Sequence, residues 1–157
     1  MRTVALLSVM AVGAAALIAP AALGSNPATA TLAVSPSAAG ARPVAVTISL
    51  RTELQCGRLV GGSLVVTFPR QMRVPRAIGA AAVHVGTRAA RSVTVAGRVV
   101  RVAVPLPRGV ICDSIAPGVA KLTFSRTAGI GNPTSPGAYF FTLRRGAETF
   151  GSPFRIH

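Results

Sequence analysis

Residues 124–143 read FSRTAGIGNPTSPGAYFFTL, and this stretch decides the fold. An alternating strand occupies its start, a loop rich in Gly, Asn and Pro follows, and a second alternating strand begins at Ala138. In the second strand Tyr139, Phe141 and Leu143 point to one side, because successive side chains of a strand alternate between the faces of a sheet. The loop residues favour positive or fixed φ angles, so a defined corner is expected. We expect the second strand to supply much of the core.

Short alternating segments of the same kind recur along the chain. They cover residues 31–34, 44–51, 64–68, 82–85, 93–95, 99–104, 120–124, 138–144 and 152–156. The clearest is the hairpin SVTVAGRVVRVAV at residues 92–104, with its turn at Ala96-Gly97-Arg98. No segment after residue 30 has a helical period. The pattern is typical of an all-β fold and predicts an antiparallel β-sandwich of about eight or nine short strands.

The first 30 residues have the features of a secretory signal peptide. Arg2 supplies a positive charge, residues 4–18 form a nearly continuous apolar run, and Ala28-Thr29-Ala30 matches an A-x-A cleavage site. The alternative is an uncleaved membrane anchor, but the apolar run is short for a bilayer span. We predict cleavage after Ala30. The product is then one exported domain at residues 31–157, secreted or associated with the cell envelope and not membrane-spanning.

The chain is strongly basic, with 17 Lys and Arg residues against 3 Asp and Glu and a formal net charge of +14. This imbalance favours anionic partners, which for an exported protein are cell-envelope polymers or acidic lipid head groups. Nucleic acid is not expected, because the domain is exported and its aromatics lie mostly in core phase rather than on stacking platforms. The candidate anion-binding residues form two sets, an outward strand set of Arg51, Arg101 and Arg144 and a loop set of Arg70, Arg73 and Arg76. The alternative is that each arginine only solvates the surface on which it lies.

Cys56 and Cys112 are the two cysteines of the chain. An even number of cysteines in an exported chain predicts a disulfide between them. Closing a loop of about 57 residues would stabilise the fold by about 4 kcal/mol on the chain-entropy model. A redox-active or metal-binding pair is the alternative, but the chain has no C-x-x-C spacing.

The sequence offers little material for catalysis. Its acids, Glu53, Asp113 and Glu148, lie in separate segments, so a pair of catalytic carboxylates is not expected. His84 lies in a short strand, and the chain has no G-x-S-x-G elbow to hold a nucleophilic serine. We therefore expect no enzyme, no cofactor and no metal site. A hydrolase site of unrecognised type is the alternative.

Three segments together resemble one known family. They are GSLVVTFP at residues 62–69 with Val74-Pro75 after it, the hairpin start VTVAG from residue 93, and AGIGNPT at residues 128–134 with Gly137-Ala138-Tyr139. These segments resemble an Ig-like β-sandwich module of secreted and cell-surface bacterial proteins, which often occurs in tandem copies. The resemblance spans nearly all of residues 31–157, and its most specific part is the A-G-I-x-N-P-T…G-x-Y corner. It implies a structural or adhesive role at the surface and supplies no catalytic residues.

Two functions therefore stay open. The first is a secreted, non-enzymatic β-sandwich protein associated with the bacterial cell envelope, with a structural or adhesive role. The alternative is a secreted binding protein that captures an anionic ligand or polymer through an arginine-rich face. Arginines spread diffusely over the surface would favour the first function, whereas arginines converging on one site would favour the second.

Overall fold

The chain folds into two antiparallel β-sheets in a computed structural model, which describes residues 29–52, 62–105 and 118–157. Ten strands lie in this part of the chain: β1 (Ala30–Ser35), β2 (Ala45–Thr52), β3 (Ser63–Thr67), β4 (Val83–Val85), β5 (Arg88–Ala89), β6 (Ser92–Ala96), β7 (Val99–Ala103), β8 (Gly118–Phe124), β9 (Gly137–Arg145) and β10 (Glu148–Ile156). The first sheet has the order β1-β2-β8-β4-β5, and the second has the order β10-β9-β3-β7-β6. The buried side chains of both sheets form one core cluster. The predicted antiparallel β-sandwich is confirmed.

The core follows the period-two pattern of the strands. In β9, Phe141 and Leu143 are buried, whereas Phe140 between them is 57% exposed. Phe141 meets Phe154 of β10 edge to face, with 6.5 Å between the ring centroids. The inward face predicted for β9 is therefore confirmed. The same alternation buries residues of the other central strands, namely Val46, Ile48, Leu50, Leu64, Val66, Val100, Val102, Leu122 and Phe124.

The hairpin of β6 and β7 forms as predicted. Ala96 pairs with Val99, which leaves Gly97 and Arg98 as a two-residue turn. Gly97 takes a φ of 60°, and among the described residues only glycines have positive φ. This arrangement is that of a type II′ turn, which has glycine at its first central position and matches the twist of the flanking strands.

Most strands match their predicted segments to within one or two residues, and three differences have a clear structural reason. The pattern misses β5, because a two-residue strand has no period to detect. β4 begins at Val83 rather than residue 82, because residues 80–82 form a single 3₁₀ turn. β10 begins at Glu148 rather than Ser152, and Pro153 lies inside it. Proline is tolerated there because β10 is the edge strand of its sheet.

The predicted corner is held against the connection between β1 and β2. The side-chain amide of Asn132 donates to the carbonyl oxygens of Pro36 and Ala38, each at 2.9 Å. Its backbone N–H donates to Ala41 O, also at 2.9 Å. Asn132 is 4% exposed, so these bonds lie in a nearly closed site. The corner is therefore a fixed structural element that ties two loops at one end of the sandwich.

Two sequence predictions fall on other parts of the chain. Cys56 and Cys112 lie outside the described residues, as does the predicted signal peptide up to residue 28. The first strand begins at Ala30, beside the predicted cleavage site. Within the described ranges, no helix has the length and apolar character needed to cross a membrane.

Candidate anion-binding surface

The described part of the chain contains one acidic residue, Glu148, and it is already paired. Arg145 occupies the inward phase at the end of β9 and is buried, with 9% of its surface exposed. Its Nε donates to Glu148 Oε2 at 3.1 Å, its Nη2 donates to the same oxygen, and its guanidinium lies 5.7 Å from the centre of the Phe150 ring. Arg145 is therefore a structural residue, and its ion pair uses the one acidic side chain among the described residues.

The structure divides the outward set between the two sheets. Arg101 of β7 and Arg144 of β9 both lie opposite Val65 of β3, so they share one row across the outer face of the second sheet. Two strand spacings separate their Cα atoms by about 10 Å. Arg51 is exposed on the first sheet instead. The structure confirms the outward phase of all three arginines, and it brings together only Arg101 and Arg144.

The loop set lies in the segment that follows β3, in which buried and exposed residues alternate irregularly. Arg70, Arg73 and Arg76 are all exposed. Arg73 is anchored by two backbone hydrogen bonds with Gly131 of the corner, at 3.0 and 2.9 Å. The structure thus fixes the backbone of one member of the loop set against the corner.

A further arginine, Arg42, lies beside Arg73 of the loop set, and the sequence pattern did not indicate it as an anion-binding residue. A Cβ atom placed on Gly131 would lie 3.1 Å from Arg42 Cβ and 3.4 Å from Arg73 Cβ. The two arginine stems therefore flank the same glycine, and both side chains are exposed. No local pattern connects the two positions, because they belong to different loops that meet only through the corner.

The described residues hold no constellation for catalysis or metal binding. His84 pairs with Thr123 and Ala89 across the first sheet, so neither cross-strand neighbour is an acid. No group of three His, Cys, Asp or Glu residues comes together in the described ranges. A depression beside the β9–β10 turn is lined by Arg145, Glu148 and the two turn residues. The Glu148 carboxylate is already bound by Arg145, so these lining residues offer no free general base.

Comparison with known proteins shows similarity in structure alone. No protein-family model matches the chain, and a search of curated proteins finds no significant match. Among solved structures, the chain is similar to BslA, a bacterial hydrophobin, with 15% identity and a TM-score of 0.51 over 83% of this chain and 98% of that one. It is also similar to the N-terminal domain of the Streptococcus gordonii adhesin Sgo0707, with 11% identity and a TM-score of 0.50 over 83% of this chain and 32% of that one. At such identities the likeness shows the β-sandwich fold that these proteins share.

Proposed function

We propose that this protein is a secreted, non-enzymatic β-sandwich of the bacterial cell surface that adheres to anionic envelope polymers or acidic lipid head groups. The observation that carries the proposal is the distribution of charge. Exposed arginines lie on the outer faces of both sheets and in the loop after β3. The one described acidic residue, Glu148, forms an ion pair with Arg145. The two similar structures support a surface role, because one is named a bacterial hydrophobin and the other an adhesin.

Exposed arginines that are spread over the surface attract an anionic polymer through a diffuse positive electrostatic field, which we call the field, rather than through one binding site. At physiological salt the Debye length is about 8 Å, so exposed charges farther apart than this act almost independently. Arg101 and Arg144, about 10 Å apart at their Cα atoms, are already near this limit. Binding to a polyanion should therefore be weak and salt-dependent, and each Arg→Ala change should weaken it by a similar small factor.

A second candidate function follows from the Arg42 and Arg73 stems that flank Gly131. Two arginines that reach one anion together can bind it through several charge-assisted hydrogen bonds, which fixes its position more firmly than isolated charges do. This arrangement favours capture of one phosphate, sulfate or carboxylate group at the corner. Capture of one anionic group at the corner is more specific than attraction of a polymer to the whole surface.

The test compares three variants on the same probes, immobilised polyphosphate, immobilised polygalacturonate and vesicles rich in phosphatidylglycerol, at two salt concentrations. The first variant replaces Arg51, Arg101 and Arg144 by alanine, the second replaces Arg70, Arg73 and Arg76, and the third replaces Arg42 and Arg73. A field predicts that the two triple variants weaken binding by similar factors and that the double variant weakens it less. Loss of binding in the double variant, with little effect from the outward-set variant, would replace the field with the corner site. Absence of wild-type binding at low salt would refute both functions.

A further inference from the structure

β6 is the last strand of the second sheet, and its outer edge, called the open edge below, has no strand of the described residues beside it. β6 pairs with β7 along all five of its residues, and no other described strand pairs with it. The register shows which backbone groups face that edge. Phe68 N–H donates to Arg98 O and Val104 N–H donates to Gly62 O, so the even-numbered residues of β7 bond to β3. The odd-numbered residues of β7 therefore bond to Ser92, Thr94 and Ala96, because hydrogen-bonded pairs alternate along antiparallel strands. The N–H and C=O groups of Val93 and Val95 consequently point away from the sheet.

The side chains at this edge leave the core partly uncovered. Val93 and Val95 are half-buried and pack against the core cluster, whereas the alternate residues of β6 are exposed. An extended segment laid along the edge would cover these two valines with its own inward side chains and would bond to their backbone groups. This is the geometry of β-strand addition.

The other edges of the sandwich are protected in ways that β6 is not. β10 carries Pro153, which cannot donate a ladder hydrogen bond. β5 has only two residues, and β1 lies against β10 of the opposite sheet. Charges, prolines and short length are the usual means of blocking an edge strand, and the sequence of β6, SVTVA, contains neither charge nor proline.

Two exposed arginines, Arg91 and Arg98, stand immediately before β6 and in the turn after it, and we call them the flanking arginines. The structure gives neither of them an ion pair with a described residue. A second copy of the chain is a poor occupant of this edge. In either strand direction it would place its own Arg91 and Arg98 beside these arginines, and like charges at paired positions are unfavourable.

We propose that the open edge of β6 binds an extended acidic polypeptide segment by strand addition. The segment has apolar residues that alternate over Val93 and Val95, and acidic residues at its ends that face Arg91 and Arg98. Backbone hydrogen bonds supply the pairing, and the flanking arginines select an acidic partner over a neutral or basic one. This inference does not depend on binding to envelope polymers.

The probe is a synthetic peptide with a valine–threonine–valine–threonine–valine centre and two glutamates at each end. Its matched control carries lysines in place of the glutamates. Backbone amide exchange of the folded protein is followed by NMR with and without each peptide. The glutamate peptide should protect the Val93 and Val95 amides, which face solvent in the free protein, and the lysine peptide should not. Protection of neither amide would overturn the proposal.

Two variants separate strand addition from general attraction to charge. The double variant Arg91→Glu with Arg98→Glu should lower the affinity for the glutamate peptide by at least about tenfold, and it should bind the lysine peptide instead. Arg51→Glu with Arg144→Glu makes the same charge change on exposed positions away from β6, and it should leave most of the affinity intact. Equal weakening by both pairs would overturn the proposal in favour of the field.

Val95→Pro tests the backbone part of the contact. It removes an N–H that points away from β7, so the hairpin should still form, and the unfolding temperature should fall only by the amount that the lost packing of the half-buried Val95 side chain costs. Affinity for the glutamate peptide should nevertheless fall by at least about tenfold, because the proline lacks the donor and its ring obstructs the added strand. Should this variant fail to fold, the amide protection and the charge exchange still decide the question. Protection of Val93 and Val95 that rises with protein concentration, in the absence of peptide, would show that a second copy occupies the edge and would refute the acidic segment.

Discussion

Asn132 gives the sharpest test of how the corner holds the sandwich together. Its amide nitrogen faces two carbonyl oxygens, those of Pro36 and Ala38, at 2.9 Å. Two acceptors require a donor between them, so the orientation of the side-chain amide is fixed by chemistry. The position therefore demands an NH₂ group, and replacements that remove it should destabilise the fold in a predictable order.

The variant Asn132→Ala removes both hydrogen bonds. Each contributes about 1 kcal/mol net, and both accepting carbonyl groups belong to residues that are exposed overall. We expect a loss of about 2 kcal/mol in the free energy of unfolding. For a domain of this size such a loss lowers Tm by roughly 5–10 °C.

The variant Asn132→Asp has nearly the same shape, but its ionised carboxylate would face the same two carbonyl oxygens. The neutral carboxyl can still donate to one of them, so folding favours the protonated form and raises the pKa of this group above its unfolded value of about 3.9. A raised pKa in the folded state means that stability is greatest below about pH 3.9 and falls as the pH rises toward the folded pKa. At pH 7 we expect this variant to lose about 3–5 kcal/mol, more than the alanine variant.

Urea unfolding followed by circular dichroism, at a series of pH values from acidic to neutral, measures both variants against the wild type. The difference between Asn132→Asp and the wild type should widen as the pH rises, while the difference for Asn132→Ala should stay nearly constant. A wild-type-like Asn132→Asp at pH 7, or a difference that narrows with rising pH, would refute the donor role of Asn132. In that case the corner would be held by its backbone hydrogen bonds alone.

Three further outcomes are expected. Phe141→Ala should cost about 3–5 kcal/mol of unfolding free energy in a denaturant titration and Phe140→Ala much less, and equal losses would show that both faces of β9 are covered. Mass spectrometry of the unreduced protein should show the loss of two protons that a Cys56–Cys112 disulfide requires, whereas free reaction of both thiols with an alkylating agent would contradict the pairing. N-terminal sequencing of the exported protein should begin at Thr31, and retention of the initiator methionine would contradict cleavage.

Strand positions and core residues were predictable from the sequence because burial on one face of a sheet imposes a strict period of two. The alternation in β9 separates the buried Phe141 from the exposed Phe140, and the glycine in the β6–β7 turn marks a chain reversal that few other residues permit. Signals of this kind depend only on residues that are close in sequence, so they can be recognised without the structure. β5 and the first half of β10 lack them, β5 because it is too short and residues 148–151 because Phe150 is their one large apolar residue and Gly151 follows it.

The arrangement of the arginines was predictable only in part. Outward phase follows from alternation, and Arg51, Arg101 and Arg144 are exposed as expected. Which sheet each strand joins depends on the topology, however, and that separates Arg51 from the other two. The approach of Arg42 to Arg73 depends on two loops meeting at Gly131, which no spacing in the sequence announces.

The surface charge of this protein can be changed with little effect on its folding, because of where its basic residues lie. The inward-facing Arg145 is paired with Glu148 and lies near the Phe150 ring, so its loss would disturb the end of the core. The arginines of the outward and loop sets are exposed and contribute little to the core, and exposed charges typically change stability by less than about 1 kcal/mol. Replacing them removes self-repulsion as well as affinity, so the variants should fold at least as well as the wild type. A loss of polyanion binding in those variants therefore reports on the surface and not on the sandwich beneath it.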